Sequence, residues 1–302
     1  MLSRLVPCLT ILTAIAAAPA AEGYQFELTL GYTGSETDQS DVEETSIYLD
    51  AAYFFEEVAL GEAPNEEADF LGHHSYIAGY STMPWQSSER RLIASENYEA
   101  GAIDADGITY GVSGQYAAAD IPVTAGAGVY LGTIEDDDVD VEFEPMNWTV
   151  NVGYWVLPNA VVGVRYTSQE VETTIATLSS EIESSTIDVF GKGVHRFDND
   201  QSVNVEASVG QQTDDDGSED EDSWVGNLAV DWYPVDRYGI GLLVGALQGD
   251  NDAEEGFTYG ARASGWFTDN IGMRVGLSQF SVDDSDLGED NTSWYIELAG
   301  RF

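Results

Sequence analysis

Cysteine is nearly absent from this 302-residue chain: the only one, Cys8, lies inside an apolar run at the N-terminus. The remainder therefore has no disulfide to stabilise it. Basic residues are scarce too, 10 Lys and Arg against 55 Asp and Glu, for a formal net charge of -45. A chain so short of cations cannot grip nucleic-acid phosphates, and it offers no polybasic face to anionic headgroups. It has three histidines, His73, His74 and His195, and eight prolines. Beyond the N-terminus no stretch approaches the roughly 18 apolar residues of a membrane-spanning helix, and no useful length follows a 3.6-residue amphipathic period. What is plentiful is equally informative. The chain is 43% hydrophobic and 11% aromatic, too apolar for a disordered acidic tail, and it holds 31 glycines.

Met1 to Ala20 carries one early positive charge, Arg4, an apolar run from Leu5 to Ala18, and a small-residue exit at Ala18-Pro19-Ala20. That layout predicts a secretory signal peptide over 1–20, cut before Ala21, and one domain over 21–302. A lipoprotein anchor does not fit, because Cys8 sits within the apolar run rather than after it.

From Tyr24 onward the dominant signal is alternation. Tyr24, Phe26, Leu28, Leu30 and Tyr32 are separated by Gln25, Glu27, Thr29 and Gly31. A period of two puts successive side chains on opposite faces of a strand, one apolar and one polar or small. The pattern recurs around Ile108–Tyr116, Met146–Tyr154, Trp224–Trp232, Phe257–Phe267 and Ile271–Leu277. It predicts strands over 24–33, 45–55, 72–82, 107–118, 122–134, 144–157, 160–169, 185–197, 201–211, 223–234, 237–247, 256–267, 270–281 and 292–302. The connections take turns. Short Asn/Asp/Pro clusters such as Pro158-Asn159 and Pro234-Val235-Asp236 are tight-turn chemistry. Long acidic runs, at Glu135–Glu142, Thr213–Asp222, Gly249–Gly256 and Asp283–Asn291, alternate with them. A soluble sandwich has no reason to keep its long loops at one end, whereas a membrane barrel has short periplasmic turns and long outer loops. The expectation is an all-β fold: a single closed antiparallel transmembrane β-barrel of about fourteen strands, with twelve and sixteen as alternatives. Met83 to Asp106 reads as one long outer loop, and a hairpin hidden there would raise the count to sixteen.

The last strand, Trp294-Tyr295-Ile296-Glu297-Leu298-Ala299-Gly300-Arg301-Phe302, places Trp294, Ile296, Leu298, Gly300 and Phe302 on one face. Here the chain resembles the outer-membrane β-barrel proteins of Gram-negative bacteria, and within them the porin type. The resemblance implies an outer-membrane location and a terminal strand, Trp294 to Phe302, read by the barrel-assembly machinery. It also brings in the homotrimer of general porins, which the residues themselves neither require nor exclude. Ala68-Asp69-Phe70-Leu71 is similar to a segment of porins of this kind.

Aromatic residues sort to strand ends, Trp148 and Trp224 at one rim and Tyr154, Phe197, Trp232 and Phe267 at the other, as interfacial girdles require. The opposite parity carries Arg165, Lys192, Arg196, Arg262, Arg274 and Arg301, with Glu27, Asp188, Glu206, Asp231 and Glu297. Burial of such charges in lipid would cost several kcal/mol each, so they are predicted to line the pore. Both signs in one lumen imply water and ion pairs across neighbouring strands. Inward glycines (Gly126, Gly128, Gly163, Gly241, Gly260 and Gly276) are expected to leave space there. Arg90 and Arg91 are the basic residues of the long loop, either a constriction folded inward or two exposed side chains balancing local acid. The acidic loops are first of all solvated surface. As an outer funnel they would concentrate cations, with divalent cations weakly bridging them to each other or to lipopolysaccharide phosphates. None carries calcium-loop spacing, since Gly217 is wrongly placed relative to Asp214. So heavy an acid load suits a salty habitat.

No histidine stands beside a plausible nucleophile, no His/carboxylate metal cluster is evident and no glycine loop for phosphate is present, so no enzyme and no cofactor are expected. The sequence favours a porin passing small polar solutes and ions, with an acidic mouth that prefers cations. The runner-up is a non-conducting barrel acting as adhesin, receptor or envelope stabiliser. A soluble all-β secreted protein is the third reading.

Overall fold

Fourteen antiparallel strands close on themselves in the computed structural model of the chain. The structure describes residues 23–37, 42–60, 64–88, 106–118, 120–136, 141–175, 178–215, 220–249, 255–282 and 290–302. The strands are β1 (Gly23–Thr37), β2 (Val42–Ala59), β3 (Tyr76–Ser88), β4 (Asp106–Ala117), β5 (Val123–Asp136), β6 (Val141–Leu157) and β7 (Ala160–Ile175). The second half comprises β8 (Leu178–Arg196), β9 (Ser202–Asp215), β10 (Asp220–Val235), β11 (Tyr238–Gly249), β12 (Gly256–Trp266), β13 (Ile271–Val282) and β14 (Asn291–Arg301). Each pairs with its sequence neighbours, and β1 meets β14 from Glu27↔Arg301 to Thr37↔Asn291. Closure leaves no edge strand, the condition for a sheet to lie in hydrocarbon.

The alternation becomes an apolar outside and a charged inside. Val152, Val189, Leu242 and Leu277 are each more than half exposed on the outer wall, and the predicted girdle aromatics Trp148, Trp224, Tyr154, Phe197, Trp232 and Phe267 are exposed there too. A band of this kind is stable only against acyl chains. Tyr24, Trp155, Tyr233 and Trp266, by contrast, point inward and are buried.

Several strands run further than their alternation. β7 and β8 were expected over 160–169 and 185–197, yet they stay paired from Ala160↔Gly193 out to Ile175↔Leu178. Beyond the bilayer both faces of a hairpin meet water, so pairing continues after the hydrophobic period has stopped. This outer extension sets acids directly opposite acids: Glu170↔Glu183, Glu172↔Glu181, Glu144↔Glu172, Asp214↔Glu221 and Asp215↔Asp220. Much of what reads as acidic loop is therefore acidic strand, held despite cross-strand repulsion.

Two further expectations are corrected. Met83 to Asp106 is not all loop, because Met83–Ser88 end β3 and Asp106 opens β4. The inward glycines do not simply leave space. A Cβ on Gly163 would strike the Phe190 ring, one on Gly276 the Tyr295 ring, and one on Gly241 the Asp231 carboxylate. In each case the covering residue lies on an adjacent strand, directly opposite. The same joint seats Tyr48 on Gly31 and Tyr130 on Gly111. The signal peptide expected over 1–20, and Arg90 and Arg91, lie outside the described residues.

Candidate functional site

Five of the links at the short-turn end are as brief as expected. The sixth, 60–75 between β2 and β3, is not. Pro64 precedes a 3-10 turn, Asn65–Glu67, and a four-residue helix, α1 (Ala68–Leu71). The helix stops at Gly72, whose N–H donates to the Ala68 carbonyl at 3.0 Å. Its missing Cβ lets His74 Nε2 approach to 2.1 Å of where that atom would stand. His73 then turns the chain back in the left-handed region, at φ 53°. The start of β3 at Tyr76 corrects the expected strand 72–82, and His73 and His74 belong to the link. An apolar cluster of Tyr24, Phe54, Val58 and Ala68 fixes α1 to the β1–β2 wall.

From that wall the link crosses the lumen. The Asn65 N–H donates to the Asp236 carbonyl at 2.8 Å in the β10–β11 turn, and the Asn65 carbonyl accepts from Arg301 Nη1 at 2.7 Å. Glu66 accepts from Arg274 Nε and, at 3.0 Å, from Trp266 Nε1. Glu67 accepts from the Tyr233 hydroxyl at 2.8 Å and lies 2.8 Å from Lys192 Nζ. Phe70 packs 4.8 Å from the Trp155 ring and carries Lys192 Nζ over its own ring at 4.8 Å. His73 stacks on Trp155 at 3.6 Å, its Nε2 2.7 Å from the Pro158 carbonyl. Strands β6, β8, β10, β12, β13 and β14 thus all hold an element rooted between β2 and β3.

The charges predicted to line the pore do face inward, and most converge on this insert. Lys192 also reaches Glu206 at 3.1 Å. Arg262 grips Asp231 through two nitrogens, Nε at 2.7 Å and Nη2 at 2.5 Å. Arg274 lies 3.0 Å from Glu27 and 3.4 Å from Glu297. Arg301, 1% exposed, meets Glu27 at 2.6 Å between the rings of Tyr24 and Trp266, 4.4 and 3.6 Å from its guanidinium carbon. Arg165 and Asp188 form their own pair at 2.9 Å, and Arg196 stands at the periplasmic rim with Asp200 and Asp236. At the level of the insert the lumen is thus a dense salt network rather than an open water column.

What the sequence reading missed is the far half of these contacts, Asn65, Glu66 and Glu67 on the insert, together with two carboxylates beside them, Asp69 on the insert and Asp50 on β2. The legible signal was a sixteen-residue link on the side of the chain where every other link is short. Burial pushes the Asp69 carboxyl above the usual carboxylate range and holds His74 below that of an ordinary imidazole. Glu67, Glu206 and Asp231 bring carboxylate oxygens within 4.8 Å of one another, but Lys192 and Arg262 already supply the cations between them. His195 faces outward against Phe197, away from this network.

The architecture is similar to that of solved outer-membrane barrels. The outer membrane protein Omp33 of Acinetobacter baumannii has 16% identity and a TM-score of 0.58, with 93% of this chain and 99% of that one covered. A monoaromatic hydrocarbon channel, CymD, has 10% identity and a TM-score of 0.59, covering 92% and 89%. The toluene transporter TbuX of Ralstonia pickettii has 12% identity and a TM-score of 0.53, covering 96% and 93%. No family model and no curated protein matches the sequence. At these identities the likeness is one of fold. The chain has the fold of Gram-negative outer-membrane β-barrels, and its lipid-facing belt agrees with that location.

Proposed function

We propose that this protein is an outer-membrane channel for small polar solutes and ions, biased towards cations, whose periplasmic end is closed by residues 64–75 of the β2–β3 link in the conformation described. The observation that carries the reading is the contrast between the two surfaces of one wall. Outside it is apolar; inside, Glu27, Lys192, Glu206, Asp231, Arg262 and Arg274 line the path around the insert. A hydrocarbon solute, of the kind CymD and TbuX carry, would have to pass these charges without solvating them. A polar solute replaces their water instead. The reading needs no covalent chemistry. Passage requires the insert to shift, because its contacts reach across the lumen.

Those same contacts favour a second reading, a permanently plugged barrel that acts through its acidic extracellular strands. Swelling of proteoliposomes in graded sugars and amino acids separates the two. Size-dependent swelling that toluene does not inhibit supports the channel for polar solutes, and no swelling with any polar solute supports the plugged barrel.

A further inference from the structure

The inference that follows rests on the channel reading and names what sets its charge preference. Around the insert, seven carboxylates engage five basic side chains, Arg165, Lys192, Arg262, Arg274 and Arg301. Two more carboxylates there, Asp50 on β2 and Asp69 on the insert, have no ion pair among the described residues. Both face one cavity of about 300 Å³ between the β1–β3 wall and the insert, with Phe54, Tyr76 and Arg274 also on its surface. Every cation of the cavity wall is already committed to another acid.

This interior is short of positive charge, and it lies within the barrel wall rather than in open solvent. Charges in a low-dielectric enclosure act on a passing ion far more strongly than charges in open water. The acids of the outer extension, Glu170, Glu172, Glu181 and Glu183, stand beyond the bilayer in solvent, where salt screens them over about 8 Å at physiological strength. Abundance therefore lies outside, but leverage lies inside.

We infer that Asp50 and Asp69 set the channel's charge selectivity, passing small monovalent cations between β2 and the insert and turning anions back. The acidic extracellular strands contribute little at physiological salt.

Reversal potentials in a KCl gradient across planar bilayers test this. Wild-type protein should prefer K⁺ over Cl⁻, and Asp50→Asn with Asp69→Asn should lower that permeability ratio by about threefold or more. Asp50→Glu, which keeps the charge, should retain it. The outer double variant Glu170→Gln, Glu183→Gln should leave it within about 1.5-fold. Both aspartates lack ionic partners, so their amides should fold as the parent does, checked by heat-modifiable migration. A ratio unchanged in the inner double variant, or one that collapses in the outer variant, would overturn the inference while leaving a conducting channel. Absence of current from every variant would remove the channel reading, and this inference with it.

Discussion

Replacing Lys192 with Met removes one of three cations that join the insert to the barrel wall, beside Arg274 and Arg301, while keeping a stem of similar length against Phe70. In the seated insert, Glu67 would keep the Tyr233 hydroxyl but lose Lys192 at 2.8 Å, with its side chain only 5% exposed. Breaking a buried pair from one side costs about 3–5 kcal/mol, because the remaining charge is left uncompensated. The lower end, about 3 kcal/mol, applies here because the Lys192 side chain keeps 28% exposure. The penalty falls only on the seated form, since an unseated Glu67 meets water. The ratio of seated to unseated insert should therefore drop roughly a hundredfold, at 1.4 kcal/mol per decade. Single-channel recording reads this as a matching rise in open probability. Adding Glu67→Gln to Lys192→Met removes the orphaned charge and should recover most of the closed state, a coupling that a simple packing defect would not produce. Wild-type open probability in the single variant, or a double variant as open as the single, would refute the latch.

Three other outcomes follow from the same geometry. Gly31→Ala places a methyl within the Tyr48 ring and dislodges that tyrosine from Glu297; an overpacking cost of about 1–3 kcal/mol should appear as earlier unfolding in heat-modifiability gels. Leu242→Arg, at a position 68% exposed on the lipid face, should cost about 2–4 kcal/mol if it lies near mid-bilayer and cut the fraction folded into vesicles; no loss would deny that this wall meets lipid. Asp69 faces Lys192 and Arg301, which lower its proton affinity, and Glu27, which raises it, but burial dominates and raises it overall. The seated insert thus binds this proton more tightly than the unseated one, so seating strengthens as pH falls and weakens as pH rises through the seated carboxyl's range. Burial of His74 acts in the opposite sense. In a His74→Gln background, open probability should therefore fall as pH is lowered, and Asp69→Asn should weaken that dependence.

Most of the barrel was legible because one rule, period two, decides which side of each strand meets lipid. Arg165, Lys192, Arg262, Arg274, Glu27 and Asp231 were placed inward by parity alone, and the structure puts them there. Parity says nothing about an element that is not a strand. Glu66, Glu67 and Asp69 lie in a turn and a four-residue helix, too short for any helical period, and the partners of Glu66 and Glu67 are 125 or more positions away in sequence. Lys192 could be predicted to need a carboxylate, but not to find it on the insert. The outer ends of β7 and β8 were illegible for a different reason: strands in water on both faces need no alternation. The glycines were placed correctly and misjudged, since a bare backbone position invites the ring opposite as readily as it leaves room for water.

Replacing residues 61–74 with a short turn, and comparing single-channel conductance with the full chain in planar bilayers, tests the role of the insert most directly. The full chain should give brief, infrequent openings and the shortened one large, steady steps in the same salt. Equal currents from both, or silence from both, would contradict a channel closed by this insert.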